Sequence, residues 1–249
     1  MAIEINLENR VAVVTGGTRG IGKSIVNKLL EAGSHVFATG TNESQIKKLN
    51  KKNKNNSLKY LQLDLNDLNN INKFISKNFK NQEVDILINN AGINIVSNAI
   101  EISYEDFLKI QRINVHGPLL LAKAFGSKMI EKKWGRIINI GSIWSVVTRS
   151  GRLSYSTSKM ALLGINKTLA VEWAKYNVLV NSVSPGFTLT ELTSMTNTKD
   201  ELEIIRNKIP QNRLAIPEEI AKGVLFLSSD LSSYIVGQNI IIDGGYTAI

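Results

Sequence analysis

Short, wholly apolar runs alternate along the chain with longer segments in which apolar residues recur every three or four positions. Arg10-Val-Ala-Val-Val-Thr15 is rich in β-branched residues and ends in glycines, which predicts a strand buried on both faces. Ile21, Ile25, Leu29 and Leu30 then keep helical spacing, and Gly33 stands where a helix stops. The same alternation predicts further strands over 35–39, 58–63, 84–88, 136–140, 178–183 and 238–243. Helices are predicted over 42–55, 68–79, 104–129, 155–175 and 217–227, the last opened by Pro217. Strands that alternate with helices imply right-handed crossovers, hence an α/β protein with a doubly wound parallel sheet of about seven strands flanked by helices. No linker or repeat interrupts the pattern, so one domain over 1–249 is expected, with a substrate lid in the long irregular stretch 188–211.

Composition removes several function classes. The 249 residues are 43% apolar, ordinary for a chain with a sizeable core. There is no cysteine, which excludes disulfides, zinc-thiolate centres and thiol catalysis. The first residues, Met-Ala-Ile-Glu-Ile-Asn-Leu-Glu, carry acids and no signal-like apolar core, and no later run approaches the roughly 20 apolar residues of a membrane span. A cytoplasmic location without membrane contact is expected. Much of the net charge of +9 sits in Lys47-Lys-Leu-Asn-Lys-Lys-Asn-Lys54, which lacks the interleaved aromatics of a nucleic-acid binder and reads as a solvated surface. His35 and His116, the only histidines, are far apart and have no acidic company, so no metal site is expected.

Two motifs carry chemistry. Thr15-Gly-Gly-Thr-Arg-Gly-Ile-Gly22 lies between the first predicted strand and helix, where backbone N–H groups can cradle a pyrophosphate in a Rossmann fold. The glycines Gly16, Gly20 and Gly22 follow a TGxxxGxG spacing. In Tyr155-Ser-Thr-Ser-Lys159 the phenol and the amine fall one helical turn apart on one face. There an ammonium can stabilise a phenolate, whose ordinary pKa of about 10 is too high for proton exchange at neutral pH. The second strand ends Thr39-Gly-Thr-Asn42, with no carboxylate for a ribose 2′-hydroxyl, while Arg19 and Thr41 suit an extra phosphate. NADP(H) is therefore expected over NAD(H).

With Ser142 upstream, these motifs in this order resemble the single-domain branch of the short-chain dehydrogenase/reductase family, over essentially the whole chain. The resemblance implies a dinucleotide held by Gly16, Thr18, Arg19, Gly20, Ile21, Gly22 and Thr41, with Asp64 and Leu65 at the adenine. It adds Asn90, Ala91 and Gly92 of the Asn89-Asn-Ala-Gly motif, and Pro185, Gly186, Thr188 and Thr190 around the nicotinamide carboxamide. It implies four catalytic residues. Tyr155 is the acid in carbonyl reduction, Lys159 lowers its pKa and holds the nicotinamide ribose, Ser142 polarises the carbonyl, and Asn114 holds a water that re-protonates the lysine. Substrate choice is expected from Asn94, Trp144, Val146, Val147, Arg149, Arg152, Phe187 and Met195.

Within the family the chain is most similar to the 3-oxoacyl-acyl-carrier-protein reductases, whose acidic partner suits a basic protein. Of the two positions where carrier-dependent members are basic, Lys133 agrees and Tyr176 departs, with Lys175 adjacent. Sugar, polyol or steroid-like alcohol dehydrogenases share every motif above and remain the alternative substrate class. A non-catalytic NADP-binding protein would be expected to have lost Tyr155, Lys159 or Ser142, and none is lost. The longer epimerase branch has the other glycine spacing and a larger C-terminal region. The resemblance also implies a homotetramer, with a dimer as the alternative, built on the helices around Asn114 and Tyr155 and on Ile240–Gly245.

Overall fold

The computed structural model describes residues 4–191, 193 and 198–248. Its strands are β1 (Val11–Val14), β2 (His35–Gly40), β3 (Leu58–Gln62), β4 (Ile86–Asn89), β5 (Gly135–Ile140), β6 (Val178–Pro185) and β7 (Asn239–Ile242). They form one seven-stranded sheet in the order β3-β2-β1-β4-β5-β6-β7, and every neighbouring pair is parallel. The doubly wound α/β architecture read from the alternation is the one observed. The helices are α1 (Gly20–Glu31), α2 (Glu43–Lys52), α3 (Leu68–Asn78), α4 (Tyr104–Gln111), α5 (Gly117–Glu131), α6 (Leu153–Trp173), α7 (Lys199–Asn207) and α8 (Pro217–Leu227).

The central strands are largely apolar because both faces are covered, whereas the edge strand β3 exposes Lys59 and Gln62. Ala12 and Val14 of β1 pack on one side with Ile25, Val26 and Leu29 of α1 and Ile220, Ala221 and Val224 of α8. Val13 packs on the other side with Ile71 and Phe74 of α3, Leu121 and Phe125 of α5, and Leu169 of α6. Each of the valine, leucine, isoleucine and phenylalanine side chains among them contributes about 1.5–3 kcal/mol when fully buried. Local signals set the ends: Asn42, Asp67 and Ser103 cap α2, α3 and α4, and Gly33 takes φ +92° after α1.

The chain leaves β1 on one side for β2 and β3, then returns to β4 on the other, with Val14 registered against both Ala38 and Ile88. The loops beyond these strands diverge and open a crevice at their C-terminal ends. Two expectations change here. The helix predicted over 104–129 is α4 and α5 joined by a π-helical turn at Arg112–His116, a widened turn common at functional sites. The stretch 188–211 is not irregular throughout: α7 lies inside it, started by a reciprocal Thr198–Glu201 capping box. Met195 lies outside the described residues.

Candidate active site

The crevice is a cleft of about 390 Å³ beyond the ends of β1, β4, β5 and β6. Its floor is made by the glycine loop. Gly16 and Gly20 take φ +64° and +53°, and a Cβ on Gly22 would lie 2.2 Å from the Gly16 carbonyl oxygen, so α1 can approach β1 this closely only with glycine there. The loops after β1 and β4 are stitched together. Thr15 Oγ1 accepts from the Asn90 and Ala91 N–H groups at 3.0 Å each, and Asn90 Nδ2 donates to the Thr15 carbonyl at 2.9 Å. Backbone N–H groups at the α1 N-terminus therefore face an open groove with positive helix-end potential, as a pyrophosphate requires.

Every residue assigned above to the cofactor lines this cleft, from Gly16 through Thr41, Asp64 and Leu65 to Asn90–Gly92, Pro185, Gly186, Thr188 and Thr190. Arg19 is held by an exposed ion pair to Glu191 at 2.9 Å, and both line the cleft. Asn42 caps α2, and Glu43, the first carboxylate after β2, pairs with Lys47 at 2.7 Å. The donor set, a glycine cradle with two hydroxyls and an arginine, fits a nicotinamide dinucleotide.

Ser142, Tyr155 and Lys159 converge on the same cleft. Ser142 follows β5, and its Oγ accepts from the Trp144 N–H at 3.2 Å. Lys159 is 3% exposed, and its Nζ donates to the Ile140 carbonyl at 2.7 Å and lies 5.5 Å from the Tyr155 ring centroid. Burial lowers the Lys159 ammonium to about 8. Burial pushes the Tyr155 phenol up; hydrogen bonding with Ser142 and the charge of Arg152 oppose it. Lys159, the group the sequence pairs with this phenol, lies on the same helix one turn further on.

Asn114 is placed differently. It sits on the π turn, 1% exposed and behind the cleft wall. Its Nδ2 donates to the Ile93 carbonyl at 2.9 Å and to Ser158 Oγ at 3.0 Å, while its Oδ1 accepts from the Ile93 N–H at 2.9 Å. Through Gly92 it approaches the amine: a Cβ there would meet Asn114 Oδ1 at 3.2 Å and Lys159 Nζ at 3.6 Å.

Of the substrate candidates, Asn94, Trp144, Arg152 and Phe187 line the cleft, whereas Val146, Val147 and Arg149 do not. Trp144 and Phe187 pack edge to face at 5.9 Å. Lys133 and Tyr176 stand where β5 and β6 begin, at the end of the sheet opposite the cleft.

Residues 16–247 match the family described as Enoyl-(Acyl carrier protein) reductase. A 3-oxoacyl-acyl-carrier-protein reductase of Aquifex aeolicus is 39% identical, over 98% of this chain and 99% of its own length. The chain belongs to the short-chain dehydrogenase/reductase family. As a member it is an oxidoreductase acting between CH–OH and C=O with a nicotinamide dinucleotide. An NAD-dependent glycerol dehydrogenase of Listeria innocua is 36% identical over 98% of this chain and 96% of its own length. A structure from Beutenbergia cavernae, described as an NAD(P)-dependent gluconate 5-dehydrogenase with NADP bound at low occupancy, superposes with TM-score 0.94 and 32% identity. That match covers 99% of this chain and all of the other.

Sequence reasoning missed two parts of the site. Glu191, the partner of Arg19, follows Thr190 in a stretch without periodicity, and nothing local marks it. Thr15 stands inside the glycine motif, yet its role as the clamp on Asn90 and Ala91 depends on β1 and β4 being neighbours.

Proposed function

We propose that this short-chain dehydrogenase/reductase reduces the ketone of 3-oxoacyl thioesters to the secondary alcohol, with NADPH preferred over NADH. The observation that carries the reading is the meeting of Tyr155, Ser142 and Lys159 in a glycine-floored cleft. The dinucleotide, when bound, supplies the hydride. Tyr155 gives its proton to the carbonyl oxygen as charge develops there, and Ser142 donates a hydrogen bond to the same oxygen. Positioned proton transfer of this kind contributes about 100- to 10,000-fold. Lys159, buried and lowered toward neutrality, holds the ribose and returns a proton to the phenol. Asn114 fixes the Ile93 backbone beside that amine, where a water can join the relay.

The thioester is favoured by the Aquifex aeolicus relative, and NADPH by Arg19 and Thr41 in a cleft with no carboxylate at the end of β2. Lys133 lies opposite the cleft, so one copy of the chain does not bring it to the mouth for a carrier protein; a neighbouring subunit can. Tyr104, Met160 and Val171, 75%, 50% and 83% exposed on α4 and α6, and the edge strand β7 suit assembly into a homotetramer. A cytoplasmic location fits a chain without cysteine. A second reading, oxidation of a polyol or sugar acid, draws on the glycerol and gluconate dehydrogenase likenesses. A panel of acetoacetyl thioester, ketoses and 5-oxo sugar acids, followed by NADPH oxidation, separates the two. Turnover confined to the sugars would replace the first reading by the second.

A further inference from the structure

Arg152 stands immediately before α6 and is 4% exposed, yet it lines the cleft. Its Nε is buried without a hydrogen-bond partner, and among the described residues no carboxylate pairs with it. Burial, first, and the nearby Arg149 lower its pKa, and only the Tyr155 phenol opposes them. The ring of Trp144, with centroid 5.8 Å from the guanidinium carbon, offers only a weak cation–π contact. The acids lining the cleft are engaged elsewhere, Glu191 with Arg19 and Asp64 with the Asn66 N–H at 2.9 Å. A sealed guanidinium without an anion is costly, and it is compensated best by a planar, bidentate carboxylate.

Its position sets the reach. Arg152 precedes Tyr155 by one helical turn, a Cβ separation of about 5–6 Å, and its charge is felt at the phenol. An anion it holds must therefore sit within a few bonds of the carbonyl carbon that Tyr155 serves. A carrier's phosphodiester, a whole pantetheine away, is too distant. A carboxylate two carbons from the ketone is not.

We infer that the cleft also accepts short free 3-oxo acids, whose carboxylate Arg152 holds while Tyr155 protonates the C3 oxygen. The inference rests on the carbonyl-reduction reading above and adds the anionic end of the substrate. Hydride passes from NADPH to C3 and the phenol proton to the C3 oxygen; the products are the 3-hydroxy acid and NADP⁺, and solvent restores the phenol. A neutral ester or thioester presents only a carbonyl oxygen to the same guanidinium and leaves its charge uncompensated.

The test compares acetoacetate with its methyl ester in the full-length wild type, Arg152→Gln and Arg152→Lys, with NADPH binding and melting temperature as controls for folding. The ratio of kcat/KM for acid over ester should fall about 100-fold in Arg152→Gln and recover in part in Arg152→Lys. An unchanged ratio overturns the inference. Calorimetric titration of 3-hydroxybutanoate into the NADP⁺ complex gives an independent reading. Binding that needs Arg152 in a protein reducing neither compound would keep the anchor and reject the reductase reading; no binding to the wild type would reject the anchor.

Discussion

Among the described residues two arginines are sealed from water, one at each end of the sheet. Arg136, at the start of β5, is 0% exposed and fully engaged: it pairs with Asp230 at 2.9 Å, donates to the Gly135, Asn177 and Ser229 carbonyls, and lies 4.4 Å over the Trp134 ring. Arg152, beyond the end of the same strand, has an orphaned Nε, a like charge nearby and no acid. Burial disfavours the charge of both, but only Arg136 has a carboxylate opposing that cost. Tyr155 and Lys159 are also displaced from their ordinary pKa values by burial, at the cleft end. One end of this sheet is built for stability, and the other keeps polar groups in want of partners that a ligand must bring.

The largest expected effect falls at the cleft end. Tyr155→Phe should lower kcat by about 100- to 10,000-fold while NADPH affinity, read by fluorescence titration, stays near that of the wild type. Loss of binding together with turnover would make Tyr155 a structural residue rather than the acid. Next, Thr41→Asp places a carboxylate where β2 leaves none. The NADPH/NADH ratio of kcat/KM should fall on the order of 10-fold or more, and an unaltered ratio removes Thr41 from the phosphate site.

Lys159 makes a pH prediction. Its folded pKa of about 8 lies below the ordinary lysine value near 10.4, so below pH 8 both states are protonated and the folded state bears the full desolvation cost. Between pH 8 and 10 the folded protein releases this proton while the unfolded chain keeps it, so stability rises with pH by at most about 1.4 kcal/mol per unit. Tyr155, raised by burial, stays neutral in this window. Urea unfolding should show Lys159→Met more stable than the wild type near pH 8, with the gap closing toward pH 10; a gap independent of pH contradicts the burial account.

The smallest effect compares the two arginines directly. Asp230→Ala strips Arg136 of its acid. The expected loss is about 1 kcal/mol, well below that of a buried pair, because Asp230 is 74% exposed. Turnover should not change. Arg152→Gln should leave the melting temperature unchanged or raise it. A large loss of stability from Arg152→Gln would show that Arg152 is structural after all.

How much of this was legible follows from where the information lies. Parallel strands covered on both faces carry near-continuous apolar runs, so β1, β4 and β5 announce themselves locally even though β5 also buries Arg136 and Asn139. The glycine loop and the Tyr155–Lys159 pair are contiguous and equally plain. The π turn at Asn114 left no mark, because one widened turn barely disturbs the apolar spacing on either side. Helix α7 was legible in principle, since Thr198 and Glu201 stand three apart as a capping box requires. The contrast between Arg136 and Arg152 was not: it depends on Asp230 coming back from the end of α8 to one and no acid reaching the other.

The central claim is that a phenol, a serine and a buried amine reduce a 3-oxoacyl carbonyl in this cleft. The most direct measurement is the rate of NADPH consumption when the purified protein meets an acetoacetyl thioester, with 3-hydroxybutyryl product identified by mass. The account predicts stoichiometric conversion by the wild type at a rate that falls about 100-fold or more in Tyr155→Phe; an inert wild type, or equal rates for the two proteins, would contradict it.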